Sequence, residues 1–138
     1  MSIFPFLLYL NLILLHMSFV RIWLHTVWST KNRFPYLNDN IRHKVFDHIK
    51  INGRVKGIHI DTVGGYTDHM HCLLSLGKDQ NVSGVVQLIK GESSHWINKL
   101  NIIKDHFEWQ DEYFAVSVSE SKLNVVRFIF RIRNSIIE

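Results

Sequence analysis

Cysteine is nearly missing. The single Cys72 in 138 residues excludes an internal disulfide and suits a reducing compartment. With seven glycines and two prolines, the chain carries no low-complexity tract, interdomain linker or internal repeat. It also lacks a phosphate-cradling glycine loop, zinc-type cysteine spacing and a G-x-S-x-G nucleophile elbow, which removes three common enzyme classes. No apolar run reaches the roughly 20 residues that span a bilayer. The longest, from Ile3 to Leu15, is broken by Pro5 and Asn11. It has no basic residues before it and no small-residue cleavage site after it, so it does not read as a secretory signal. Met17 opens a segment of different character, and the first charged side chain is Arg21. Residues 1–16 are therefore read as an apolar leader upstream of the true start, with a membrane-associating leader as the competing reading. Residues 17–138 are read as one domain.

What is present describes a globular protein: 46% hydrophobic and 20% charged residues, in a length that supports one core. Sixteen Lys and Arg against twelve Asp and Glu give a net charge of +4. That is compatible with a phosphate-bearing partner and is weak evidence taken alone. Nine histidines are many for this length.

Alternation predicts a strand from Ser18 to Ser29, with Val20, Ile22, Leu24 and Trp28 on one face and Arg21, Trp23, His25 and Val27 on the other. Asn38 or Asp39 caps a helix that runs to about Ile51 through Ile41, Val45, Phe46 and Ile49, and Asn52-Gly53 ends it. Lys56 to Thr62 alternates again, Gly64-Gly65 turns the chain, and His69 to Leu76 forms the next strand. Residues 82–100 read as an amphipathic helix in which Gly84 and Gly91 imply close packing. A strand from Tyr113 to Val118 follows. Ser119 or Ser121 then caps a last helix, with Val125, Ile129, Ile132 and Ile136 along its apolar stripe. This order favours an α+β fold, an antiparallel sheet with helices packed on it in a ferredoxin-like sandwich.

The sharpest local feature is Asp68-His69-Met70-His71. Residues two apart on a strand share a side, so His69 and His71 stand together while Met70, Cys72, Leu74 and Leu76 form an apolar face opposite. Two imidazoles can bind a divalent ion with a third ligand from elsewhere, and Asp68 can orient one of them or close the turn. A bare H-x-H is more often a coincidence of a half-exposed strand. His59 and Asp61 can face the same side; His95 and His106 have no special spacing. Asp105, Glu108, Asp111 and Glu112 read as an acidic, solvated turn.

Together, MSFVRIWLHTVWSTKNR, DHMHCLL, QLIKGESSHWIN and WQDEYFAVSVSESKL resemble, in order from about Met17 to Ile129, the insertion-sequence-200-like transposases and the related transposases of repeated extragenic palindromes. The resemblance implies the histidine-hydrophobe-histidine class of single-strand DNA transposase, a cytoplasmic homodimer that does not act at a membrane. Its partner would be single-stranded DNA with hairpin ends and its cofactor Mg²⁺ or Mn²⁺. His69 and His71 match the metal histidines. A tyrosine on the last helix would attack the scissile phosphate, assisted by the metal.

The tyrosine does not carry over. Phe128 occupies its position and Ile132 stands where the family's glutamine ligand belongs, so the copy reads as C-terminally truncated or frameshifted and impaired in cleavage. The alternative is a non-cleaving single-stranded DNA-binding protein derived from the family. Tyr113 is the substitute nucleophile to weigh, at a position that in the family is structural. Arg21, Lys31, Arg33 and Lys90, with Lys99, are the candidate DNA contacts, against a reading of scattered solvated charges. Trp23 or Trp28 is a candidate base-stacking ring.

Overall fold

The computed structural model describes residues 4–14 and 18–137, with side chains described over 5–11 and 18–131. The start expected at Met17, and the side chains of Ile132 and Ile136, lie outside the described residues. Helix α1 (Phe4–Leu14) lies within the N-terminal apolar run. Among the described residues no helix is long and apolar enough to cross a membrane.

The domain that follows runs β1 (Ile22–Ser29), α2 (Asp39–Val55), β2 (His59–Gly65), β3 (His69–Leu76), α3 (Val82–Lys99), β4 (Phe114–Val118) and α4 (Leu123–Ile137). The sheet has the order β2-β3-β1-β4, and each neighbouring pair is antiparallel. This is the ferredoxin-like arrangement expected from the element order. Helices α2 and α3 cover one face, where Leu24, Trp28, Val45, Ile49, Ile60, Met70, Cys72, Leu74, Val86 and Ile97 make the main core. Helix α4 lies on the other face over a smaller cluster of Trp23, Leu73, Leu123 and Phe130.

Local chemistry sets the element ends. Asn38 caps α2 by accepting from the Ile41 N–H at 3.1 Å, and Asn81 caps α3 by accepting from the Gly84 N–H at 2.8 Å. Helix α2 does not stop at Gly53. It continues to Val55, and Gly57, at φ 77, ends it: the Ile58 N–H donates to the Gly53 carbonyl and the Gly57 N–H to that of Arg54, the Schellman pattern. Gly53 is needed for packing instead, since a Cβ there would stand 2.4 Å from Ile60 Cδ1.

The chain does not turn at Gly64-Gly65 either. Both end β2, and the turn is made by residues 66–68. Gly65 adopts φ +151, and a Cβ on it would lie 2.3 Å from the His69 carbonyl oxygen. The close packing expected at Gly91 is not found, because nothing lies within 4 Å of a Cβ built there. Leu100, the last residue of the stretch read as an amphipathic helix, caps α3 and is exposed.

The apolar stripe of α4 also differs from expectation. Val125 and Ile129 are exposed, while Leu123 and Phe130 are buried and Val126 is half-buried. The helix carries two apolar faces, and the sheet takes the one through Leu123, Val126 and Phe130. Neither Ser119 nor Ser121 caps α4 directly. A 3₁₀ turn over Glu120–Lys122 intervenes, and the Ser119 side chain makes no capping bond.

Candidate metal and DNA site

His69 and His71 project from β3 on the α4 side of the sheet, their ring centroids 5.1 Å apart and nearly perpendicular. The opposite side of the strand is the unbroken apolar face expected, with Met70, Cys72, Leu74 and Leu76 all buried. Gly64 is the β2 residue paired with His71. Burial pushes the Cys72 thiol up to about 12 despite the hydrogen bond with Thr26, which leaves it an inert core group.

Each imidazole is held at Nδ1. His69 Nδ1 lies 2.8 Å from Asp68 Oδ1, and Arg33 grips the other oxygen of that carboxylate at 3.2 Å. Burial raises the Asp68 carboxyl, but the His69 hydrogen bond and charge, together with Arg33, outweigh it and hold it below its ordinary value. His71 Nδ1 lies 2.8 Å from Nε2 of His25, with the ring centroids 5.1 Å apart and the planes at 25°.

His25 was not among the residues singled out by sequence. It sits on β1 opposite Leu73, so it meets His71 along a strand diagonal, within reach of a ring. The only signal was its place on the Trp23-His25-Val27 face, and the pairing register of β1 with β3 is what turns that into a contact. His59 and Asp61 do not join the pair in these contacts. His59 stands edge-to-face against Trp23 at 5.5 Å, and Asp61 receives Arg127 of α4.

The donor chemistry fits half of a divalent-metal site. A proton on Nδ1 of each ring would put the ligating lone pair on Nε2, the usual arrangement for metal histidines. Among the described residues no group of three or more His, Cys, Asp or Glu side chains is placed to hold an ion.

Phe128 is 58% exposed. The ring that meets the histidines is Phe130, 5.1 Å from His25 and 5.5 Å from His71. Positions 128 and 130 lie about 200° apart around a helix at 3.6 residues per turn, so Phe128 points away from this chain's own pair.

A groove of about 520 Å³ opens beside the pair, lined by Val27, Trp28, Ser29, Arg33, His69, His71, Gln110, Glu112, Tyr113 and Phe114. Three of the five candidate DNA cations gather around the segment 108–112. Lys31 pairs with Glu108 at 2.7 Å, Arg33 lines the groove, and Lys90 donates to the carbonyls of Gln110 and Asp111. The Glu108 hydrogen bond raises the Lys31 amine, whereas burial lowers that of Lys90. Arg21 lies apart, paired with Glu120 at 3.1 Å. Trp23 and Trp28 are 7% and 2% exposed, which leaves neither ring a face for a base; the exposed aromatics at the groove are Tyr113 and Phe114.

The model of the family described as "Transposase IS200 like" matches residues 18–129. No curated protein matches the chain. Among solved structures, a candidate transposase from Deinococcus radiodurans R1 aligns with a TM-score of 0.66 and 21% identity, covering 79% of this chain and 88% of that one. A REP-associated tyrosine transposase bound to a REP hairpin aligns with a TM-score of 0.55 and 21% identity, covering 82% of this chain and 64% of that one. At such identities the likeness is one of fold.

Proposed function

The chain belongs to the IS200-like transposase family, and from that premise we propose that it binds hairpin-bearing single-stranded DNA ends without cutting them efficiently. The observation that carries this reading is an intact, oriented histidine pair combined with a phenylalanine at the nucleophile position. His69 and His71 would hold Mg²⁺ or Mn²⁺ through Nε2, with Asp68 and Arg33 steadying the first ring. Such an ion, when bound, polarises a scissile phosphate. Arg33 stands in the same groove and supplies positive charge where a phosphate would lie. The hairpin as partner is supported by the fold-related transposase bound to one, and a cytoplasmic location is consistent with a DNA partner.

Cleavage in this reading needs a tyrosine oxygen to bond to phosphorus while the 3′ oxygen departs. The Phe128 ring has no oxygen to offer, and Ile132 has no atom that ligates a metal. The outward direction of Phe128, with Val125 and Ile129 exposed beside it, supports a homodimer in which this face of α4 addresses a second copy.

The second reading is an active transposase, favoured by Tyr113, which lines the groove with both histidines. A gel shift with hairpin single strands, run beside a denaturing gel of the same mixture with Mn²⁺, separates the two. A shifted complex without a covalent adduct is expected. An adduct would establish the active reading, and equal affinity for fully paired duplex would remove both.

A further inference from the structure

We propose that His25 is a positioning residue for His71, accepting the His71 Nδ1–H at its own Nε2 so that the His71 lone pair is fixed on the metal-facing nitrogen. The inference rests on the metal reading of His69 and His71. It adds to that reading a residue on a different strand, with no H-x-H signature of its own.

An imidazole that ligates through Nε2 must carry its proton on Nδ1, and something must receive that proton. For His69 the receiver is the Asp68 carboxylate at 2.8 Å. For His71 the nitrogen at the same distance is His25 Nε2. In the opposite sense, with His25 donating, the His71 proton would sit on Nε2 and block ligation. The His25 ring lies end to end with that of His71, their planes 25° apart, so the two nitrogens face each other in line for a hydrogen bond, and Phe130 packs against it at 5.1 Å.

His25 is not itself a third ligand in this arrangement. Its Nε2 is spent on the neighbouring ring, in keeping with the absence of a three-residue ligand cluster among the described residues. The pair is thus steadied asymmetrically, one ring by a carboxylate that Arg33 anchors and the other by an imidazole that Phe130 packs against.

The test uses the full chain and needs no turnover. Long-range ¹⁵N–¹H NMR of the metal-free protein should show His71 in the Nδ1–H tautomer. Binding of Mn²⁺, followed by electron paramagnetic resonance, should weaken about 10- to 100-fold in His25→Phe, in the range expected when an outer partner is lost. That variant keeps an aromatic ring and removes the acceptor. His25→Gln, whose amide oxygen reaches about where Nε2 stood, should recover most of the affinity and the Nδ1–H tautomer. A His71 Nε2–H tautomer in the unmodified protein, or equal Mn²⁺ affinity in His25→Phe and the unmodified protein, overturns the proposal and leaves the metal reading standing. Failure of the unmodified protein to bind Mn²⁺ overturns both. Should His25→Phe not fold, the tautomer of the unmodified protein and the His25→Gln titration decide.

Discussion

Arg127 on α4 meets Asp61 on β2 through two parallel contacts, Nη2 to Oδ1 at 2.7 Å and Nε to Oδ2 at 2.9 Å. Sixty-six residues separate the two in sequence, and the pair pins the last helix over the histidine face of its own sheet. Side-chain exposures of 31% for Arg127 and 18% for Asp61 leave it less screened than an open surface pair, and the two-point geometry is the strong form of the carboxylate–guanidinium contact. Asp61→Asn should loosen α4 by about 1–2 kcal/mol, the difference between charged and neutral hydrogen bonds. Amide exchange over 123–131 would then quicken roughly tenfold while β1 and β3 stay protected. Unchanged exchange in α4 would show that Leu123, Val126 and Phe130 hold it unaided.

The same contact predicts an acid-sensitive helix. The Arg127 hydrogen bond, helped by Thr62, holds the Asp61 carboxyl below its ordinary value against the opposing effect of burial. Its folded pKa is therefore lower than the unfolded one, near 4. The stabilisation is fully present above that unfolded value and is lost as pH falls through the lowered folded value. Exchange of α4 amides should accelerate below about pH 4, relative to the intrinsic rate, and Asp61→Asn should remove the extra acceleration.

These two residues also mark what sequence could and could not disclose. Strand β3 was legible to the residue because His69 and His71 alternate strictly with Met70, Cys72, Leu74 and Leu76, and one face is wholly apolar. The α4 stripe was not. Val125-Phe128-Ile129 and Leu123-Val126-Phe130 both fit a helical period, and the choice between them is made by packing on Trp23 and Leu73 and by Arg127 reaching Asp61. Gly53 was misread as a helix end because its reason, the approach of Ile60, is a contact between elements. His25 escaped notice for the same cause: a diagonal across two strands exists only once their register is set.

Metal binding should depend on both histidines and on the carboxylate behind the first. Calorimetric titration with Mn²⁺ is expected to show loss of binding in His69→Ala and in His71→Ala. Asp68→Asn should weaken it about 10- to 100-fold, since Asn keeps the shape but gives up the charge that draws the His69 Nδ1–H. Undiminished affinity in both alanine variants would remove the metal assignment.

Cys72 offers a check on the core that is independent of DNA and metal. Its thiol is fully buried on the α2–α3 side of β3 and pushed up to about 12, so almost none is thiolate at neutral pH. Reaction with Ellman's reagent should be slow in the native protein, and its rate should rise in parallel with unfolding by denaturant. Rapid native labelling would mean that β3 does not sit where the antiparallel pairing with β1 and β2 puts it.

Restoring cleavage tests the missing nucleophile and the direction in which α4 works. In the proposed reading, a tyrosine at 128 would supply the absent oxygen, and a glutamine at 132 would supply a ligand one helical turn further on, on the same side of the helix. Phe128→Tyr alone should yield little covalent adduct with a hairpin-bearing end and Mn²⁺. Phe128→Tyr with Ile132→Gln should yield more, because nucleophile and ligand act as a unit. The exposed setting of Phe128, about 200° around the helix from Phe130, adds a sharper expectation. The double variant should act on the histidine pair of a second copy, not on its own. Mixing chains that carry the restored helix but His69→Ala and His71→Ala with unmodified chains should then form adduct, although neither does so separately. Adduct from the restored helix only when its own histidines are intact would show instead that α4 swings about its axis, breaking the Arg127–Asp61 contact, to serve its own sheet. Adduct from the unmodified chain alone would place the nucleophile elsewhere, and its disappearance in Tyr113→Phe would identify Tyr113.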